Sequence, residues 1–174
     1  LSERSFRSIF WVYIQQMLDL HSISAWSQLT VIIDGAIAAV LGSIIGWERD
    51  RAGKSAGPRT MALVGGSAAT IVAIGAVLDT SGTKYGDPTR ALHAVITGIG
   101  FLGAGLIFNS KRHGVQGVTT AATVFSTAAM GVAVGLGFQL VGIGFAAVIM
   151  IILRSTQVLE RTLRRQEYEY EEDE

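Results

Sequence analysis

VITGIGFLGAGLIFNSKRHGVQGVTTAATVFSTAAMGVAVGLG, residues 95–137, decides the fold. Two glycine- and alanine-rich apolar segments are joined here by a short basic loop punctuated by glycine. At 1.5 Å per residue each segment is about long enough to cross a hydrocarbon core. The stretch reads as a membrane hairpin. It also holds a decoy, because Gly98-Ile-Gly100-Phe-Leu-Gly103 fits the G-x-G-x-x-G dinucleotide pattern. That fingerprint needs an acidic residue roughly 20 positions on to hold a ribose, and no Asp or Glu occurs from His113 to Leu153. Close approach of membrane helices accounts for the glycines better, so Gly98, Gly100, Gly103 and Gly105 are expected to be packing residues.

The rest of the chain agrees with a membrane setting. Of its 174 residues 49% are hydrophobic and only 16% charged, with no net charge and no cysteine. The charged residues gather at the ends and in three short loops, where a soluble domain would spread them. Without cysteine there is no disulfide or thiolate metal site. No cleavable signal peptide is visible, and the first residue is Leu1, which leaves the true start open.

From the N-terminus, Phe6, Ile9, Phe10, Tyr13, Ile14, Met17 and Leu18 recur at helical spacing among Glu3, Arg7, Gln15, Gln16 and Asp19. Residues 1–28 are therefore an amphipathic segment that lies in the bilayer interface or packs on a partner protein. A transmembrane domain over 29–154 follows. Its first span, Leu29–Trp47, is bracketed by Trp26 and Trp47 as interfacial anchors and carries Gly42 and Gly46 on a small-residue stripe. ERDRAGKSAGPR, residues 48–59, leads into span two, Thr60–Leu78, which is free of charge and includes Gly66. The turn-rich DTSGTKYGDPTR precedes span three, Ala91–Phe108. Span four begins at Thr119, whose hydroxyl is expected to cap it, and carries Gly131 and Gly135. The 41 residues from His113 to Leu153 hold no formal charge, too many for one crossing and enough for two, so the chain breaks at Leu136–Gln139 and span five is Leu140–Leu153. Residues 155–174 form a charged tail expected to fray. The fold class is all-α, a polytopic five-span helical bundle preceded by an interfacial helix.

Five spans set ten Lys and Arg residues on one side, from Arg49 to Arg165, against Arg4, Arg7, Lys84 and Arg90 on the other. By the positive-inside rule the N-terminus is outside and the C-terminus cytoplasmic. Glu48, Arg49, Arg59, Thr60, Asn109, Lys111, Arg112, Thr119 and Thr120 then meet at the cytoplasmic face, where two helix starts and two helix ends converge. Glu48 with Arg59 is the preferred pair in that vestibule, against the plainer reading that such residues only pin helix ends. On the outer side Asp34 and His93 lie at similar depth, and an intramembrane carboxylate is costly enough to be a functional candidate. Asp34 snorkelling to the surface is the plainer alternative. Thr119, Thr120, Ser126 and Thr127 either line a polar path or bond within their own helices, the second being favoured. The Gly-rich spans also suit self-association into a homo-oligomer. No His/Asp/Ser arrangement with credible order, phosphate-binding loop or basic surface suggesting nucleic acid is present, which argues against an enzyme.

VITGIGFLGAGLIF followed by GVTTAATVFSTAAMGVAVGLG, with GWERDRAGKSAGPRTMALVG upstream, resembles the membrane domain of the MgtC/SapB family of bacterial inner-membrane proteins over about Val31–Leu153. Many members continue into a soluble C-terminal domain, into which these residues do not extend. The resemblance implies a location in the bacterial inner membrane and a role in adaptation to magnesium limitation, acid or phosphate stress. It implies action on membrane-protein partners such as the F-type ATP synthase. Its alternative is transport of a cation, magnesium or the proton. Glu48, Arg59 and Thr60 match the family's E-R and L-R-T motifs, here Pro58-Arg59-Thr60, with Met61 where members commonly carry histidine. No cofactor is implied beyond a magnesium ion, which prefers several carboxylate or water oxygens.

Overall fold

The computed structural model describes residue 14 and residues 24–80, 87–110 and 114–172, with side chains described as far as residue 155. Most of the amphipathic segment over residues 1–28 lies outside the described residues, and so do Lys111 and Arg112. Five helices and one small hairpin make up the rest: α1 Ala25–Arg51, α2 Pro58–Thr80, α3 Pro88–Leu106, β1 Phe108–Ser110, β2 Gly114–Gln116, α4 Val118–Gly135 and α5 Gln139–Glu172. The all-α polytopic membrane architecture is as expected. Helices α1 to α4 are each long and apolar enough to cross a bilayer, and Gln139–Ser155 is the apolar part of α5.

Local chemistry sets the helix limits. Ser24 starts α1 by accepting the Ser27 N–H at 3.2 Å. Asp87 starts α3 by accepting the N–H groups of Thr89 and Arg90, with Pro88 in the first turn, where its missing N–H costs nothing. Helix α3 stops at Leu106, two residues short of the expected Phe108, because the chain turns into the antiparallel β1–β2 hairpin, which pairs Asn109 with Val115. The cap of α4 also departs from expectation. Gly117, at φ 86°, holds the N-cap position without a side-chain bond, and Thr119 is already inside the helix, its carbonyl accepting the Thr123 hydroxyl at 2.7 Å. A Cβ at position 117 would collide with the Leu106 carbonyl, so only glycine fits where the hairpin closes on α3. The break between α4 and α5 falls where it was expected, with Gly137 at φ 84°. Beyond Leu153 the backbone of α5 is helical to Glu172.

Helix α4 is the centre of the bundle and packs on all four other helices, while α1 and α2 form an antiparallel pair. Glycine allows the close approaches. A Cβ on Gly42 would meet the Met61 carbonyl, one on Gly46 would lie 2.6 Å from the Pro58 Cα, and Cβ atoms on Gly131 and Gly135 would strike the backbone of Gly65 and Ala69. Gly66 faces the Ala39 methyl. Ala38, Ile45, Ala69, Met130 and Val134 are fully buried along this seam. The glycines of α3 behave otherwise: a Cβ on Gly98, Gly100 or Gly105 meets nothing within 4 Å, and one on Gly103 makes only ordinary contact with Ala121. Within one chain Gly98, Gly100 and Gly105 are therefore not packing residues. Helix α3 is the most peripheral of the four long spans.

Candidate functional site

Trp26 and Trp47 stand about 31 Å apart along α1 at 1.5 Å per residue, close to the thickness of a hydrocarbon core. Both are exposed on the outside of the bundle, as interfacial anchors should be. These two levels locate the polar residues.

Asp34 lies about 12 Å from the Trp26 level, deeper than its place near the start of the apolar run suggests. It is 4% exposed, and its Oδ1 accepts the Gln139 side-chain amide at 3.1 Å. It does not snorkel. Facing the bundle interior, it ties α1 to the first residue of α5, where the helix start favours a negative charge. His93 is not its partner, since that ring is exposed on α3 and its Nδ1 donates to the Thr89 carbonyl at 2.7 Å. The pairing foreseen between Asp34 and His93 is replaced by Asp34 with Gln139.

At the Trp47 level a second cluster forms. Glu48 and Arg49 are both buried, at 7% and 3% exposure. Arg49 Nη2 donates to Thr120 Oγ1 at 3.2 Å, and Ser55 Oγ lies 3.4 Å from the same oxygen. The Lys54 N–H donates to the Arg49 carbonyl at 3.0 Å, drawing the α1–α2 loop across the start of α4. Arg59 and Thr60 are exposed on the first turn of α2, so the charge set against Glu48 is Arg49, one residue along, in place of Arg59. Asn109 is exposed on β1, and Thr119 is exposed while Thr120 is buried. Of the residues expected in the vestibule, the structure thus brings together Glu48, Arg49 and Thr120. Ser55 and Gln139 were missed. Gln139 had a signal, being one of two amide side chains in the uncharged stretch between His113 and Leu153 and the one that falls at the break before α5.

Thr123 and Thr127 bond to carbonyls one turn back in α4, and Thr127 also contacts Met61 Sδ at 3.5 Å. Among the described residues no three His, Cys, Asp or Glu side chains gather as metal ligands.

The sequence matches a family model, described as the MgtC family, over residues 36–162. The chain belongs to the MgtC family. It is 39% identical to Protein MgtC of Brucella melitensis over 126 residues, which is 72% of this chain and 49% of that one. It is 40% identical to Protein SrpB of Synechococcus elongatus, covering 62% and 64% of the two chains. It is 33% identical to an Escherichia coli K12 protein provisionally named as the magnesium transporter YhiD, covering 79% and 65%. The chain spans about half to two thirds of the length of these curated relatives. No solved structure matches it. As a member of the MgtC family it is a multi-pass membrane protein, and Glu48, Arg49 and Thr120 all fall inside the matched region, whereas Asp34 falls just before it.

Proposed function

We propose that this MgtC-family chain is a non-enzymatic regulator in the bacterial inner membrane, acting on other membrane proteins in adaptation to magnesium limitation, acid or phosphate stress. The observation that carries the reading is the seam between Asp34 and Arg49. Ala38, Ile45, Ala69, Met130 and Val134 are fully buried along it, and backbone-to-backbone glycine contacts close it on α2. A hydrated cation needs a wet path lined by oxygens, and close-packed alanine, valine and methionine oppose one. The bundle instead offers its flanks: an apolar groove of about 410 Å³ between α2 and α3, lined by Leu63, Ser67, Ile71, Gly98 and Leu102, opens sideways and gives a partner's transmembrane helix a seat. The F-type ATP synthase is the partner class that the family suggests. The basic Trp47 end faces the cytoplasm in this reading, by the excess of Lys and Arg on that side.

Transport of magnesium or the proton is the second reading, favoured by the buried Asp34 carboxylate and by the name of the Escherichia coli relative. Flux of both ions into proteoliposomes holding only this protein separates the two. Regulation predicts no flux above empty liposomes. Flux that Asp34→Asn or Glu48→Gln removes overturns it and makes those carboxylates part of a pathway.

A further inference from the structure

Two positive features meet at the Trp47 end with little to neutralise them. The first is the start of α4, whose N-cap is Gly117, so that its first-turn N–H groups have no side-chain acceptor. A helix start carries roughly half a positive charge. The second is Arg49, a cation aimed at that start through its bond to Thr120 in the first turn of α4. A cation belongs at the opposite end of a helix. Arg49 is 3% exposed, and its Nε finds no hydrogen-bond partner among the described residues. A guanidinium proton buried without an acceptor is costly. The neighbouring Glu48 supplies one negative charge, which leaves the helix start and the Nε–H unanswered.

We propose that this end of the bundle binds a phosphate group, held by Arg49, the Ser55 hydroxyl and the first-turn N–H groups of α4. Phosphate fits because it takes several short hydrogen bonds from an arginine and from a helix start together. Ser55 lies in the α1–α2 loop and is exposed, so the ligand approaches from the solvent side of that loop. Lys54 and Arg59, both exposed, supply further positive charge around the same loop and the start of α2. The level also suits the ligand. Arg49 follows Trp47 by two positions, which sets it beside the lipid headgroups, so the phosphate is that of an anionic lipid or a free phosphate ion from solution. The site lies at one face and not across the bundle, and stands apart from the choice between regulation and transport.

The test uses the purified full chain, delipidated in neutral detergent. Binding of dioctanoyl phosphatidylglycerol is read by native mass spectrometry and by the rise in Tm, binding of inorganic phosphate by equilibrium dialysis, and dioctanoylglycerol serves as the control without phosphate. One phosphate-bearing ligand per chain is expected. Ser55→Ala should weaken it by about tenfold, the loss of one hydrogen bond to a charged group. Arg49→Lys, which keeps the charge and removes the Nε–H, should weaken it further. Thr119→Asp offers a carboxylate to the same N–H groups, so it should raise the Tm of the unliganded protein and abolish binding, a pair of effects that damage to the fold does not produce. Binding of the lipid alone identifies a headgroup site, and binding of inorganic phosphate a site for the free ion. No binding of either by folded protein overturns the proposal. So does binding as strong to the control lipid, or binding that Ser55→Ala and Thr119→Asp leave unchanged.

Discussion

Helices α3 and α4 are the two halves of one glycine-rich hairpin, yet they meet opposite fates. Gly131 and Gly135 of α4 touch the backbone of α2, whereas Gly98, Gly100 and Gly105 of α3 look outward. Composition is similar in the two, so composition does not decide which helix is central. The difference lies in the opposing surface. Gly65 and Ala69 on α2 are small and in register with Gly131 and Gly135, so the main chains can meet. Where α3 lies against α2, the wider floor of Leu63, Ser67 and Ile71 holds it off and leaves a groove. Small residues bring helices together only when both surfaces are small at the same level.

The sharpest way to break this comparison is to enlarge one glycine on each helix. Gly131→Leu should remove about 3 kcal/mol or more through backbone collision, seen as aggregation or loss of a monodisperse peak in detergent. Gly100→Leu should leave the Tm of the isolated chain unchanged. If Gly131→Leu is tolerated, α4 is not the centre of the bundle. If Gly100→Leu changes the mass in detergent while leaving the Tm alone, the outward face of α3 is a contact between copies of the chain.

Next in size is the Asp34–Gln139 bond. Asp34→Leu removes the acceptor of the half-buried Gln139 amide and should cost about 1 kcal/mol, with Asp34→Leu/Gln139→Leu recovering part of the loss. His93→Leu on the exposed helix should cost almost nothing in the same thermal unfolding series. A larger loss at His93 than at Asp34 reverses the assignment of inside and outside.

Thr127→Val should be smaller again, below about 1 kcal/mol, because its hydroxyl bonds within α4 and spans no polar path. The smallest effect lies at the start of α3. The Thr89 hydroxyl and then the Arg90 and Thr89 N–H groups hold the Asp87 carboxyl below its usual range. A carboxylate whose pKa is lowered by folding stabilises above its unfolded pKa and loses that contribution as pH falls through its folded pKa. Acidification should therefore loosen the α3 start first, seen as faster amide exchange at Thr89 and Arg90, and Asp87→Asn should flatten that pH dependence.

The sequence made the crossings legible because charge and length are local properties. The uncharged run to Leu153 demands two spans, and Gly137 marks the turn between them. The Asp34–Gln139 pair was half visible. The cost of Asp34 in a membrane could be read from its position alone, but its partner is 105 residues away and depends on where α5 starts. In the Trp47 cluster Arg49 and Thr120 were marked by their places at span ends, whereas Arg59 drew more weight than its exposed side chain warrants. Ser55 gave no signal, since a loop serine looks alike whether it hangs in water or leans on a neighbouring helix. The outward glycines of α3 were illegible for the same reason: their fate is set by side chains on α2.

Helix α5 continues from the bundle to Glu172 without interruption. At 1.5 Å per residue the part beyond Ser155 reaches about 25 Å past the apolar segment. Its length gives it the geometry of a lever, with the close packing of Gly142 against Val134 as the natural pivot. A tilt of about 10° at that pivot would swing the far end, roughly 45 Å away along the helix, by about 8 Å. Small changes of packing inside the membrane would thereby be magnified into displacement at Glu172.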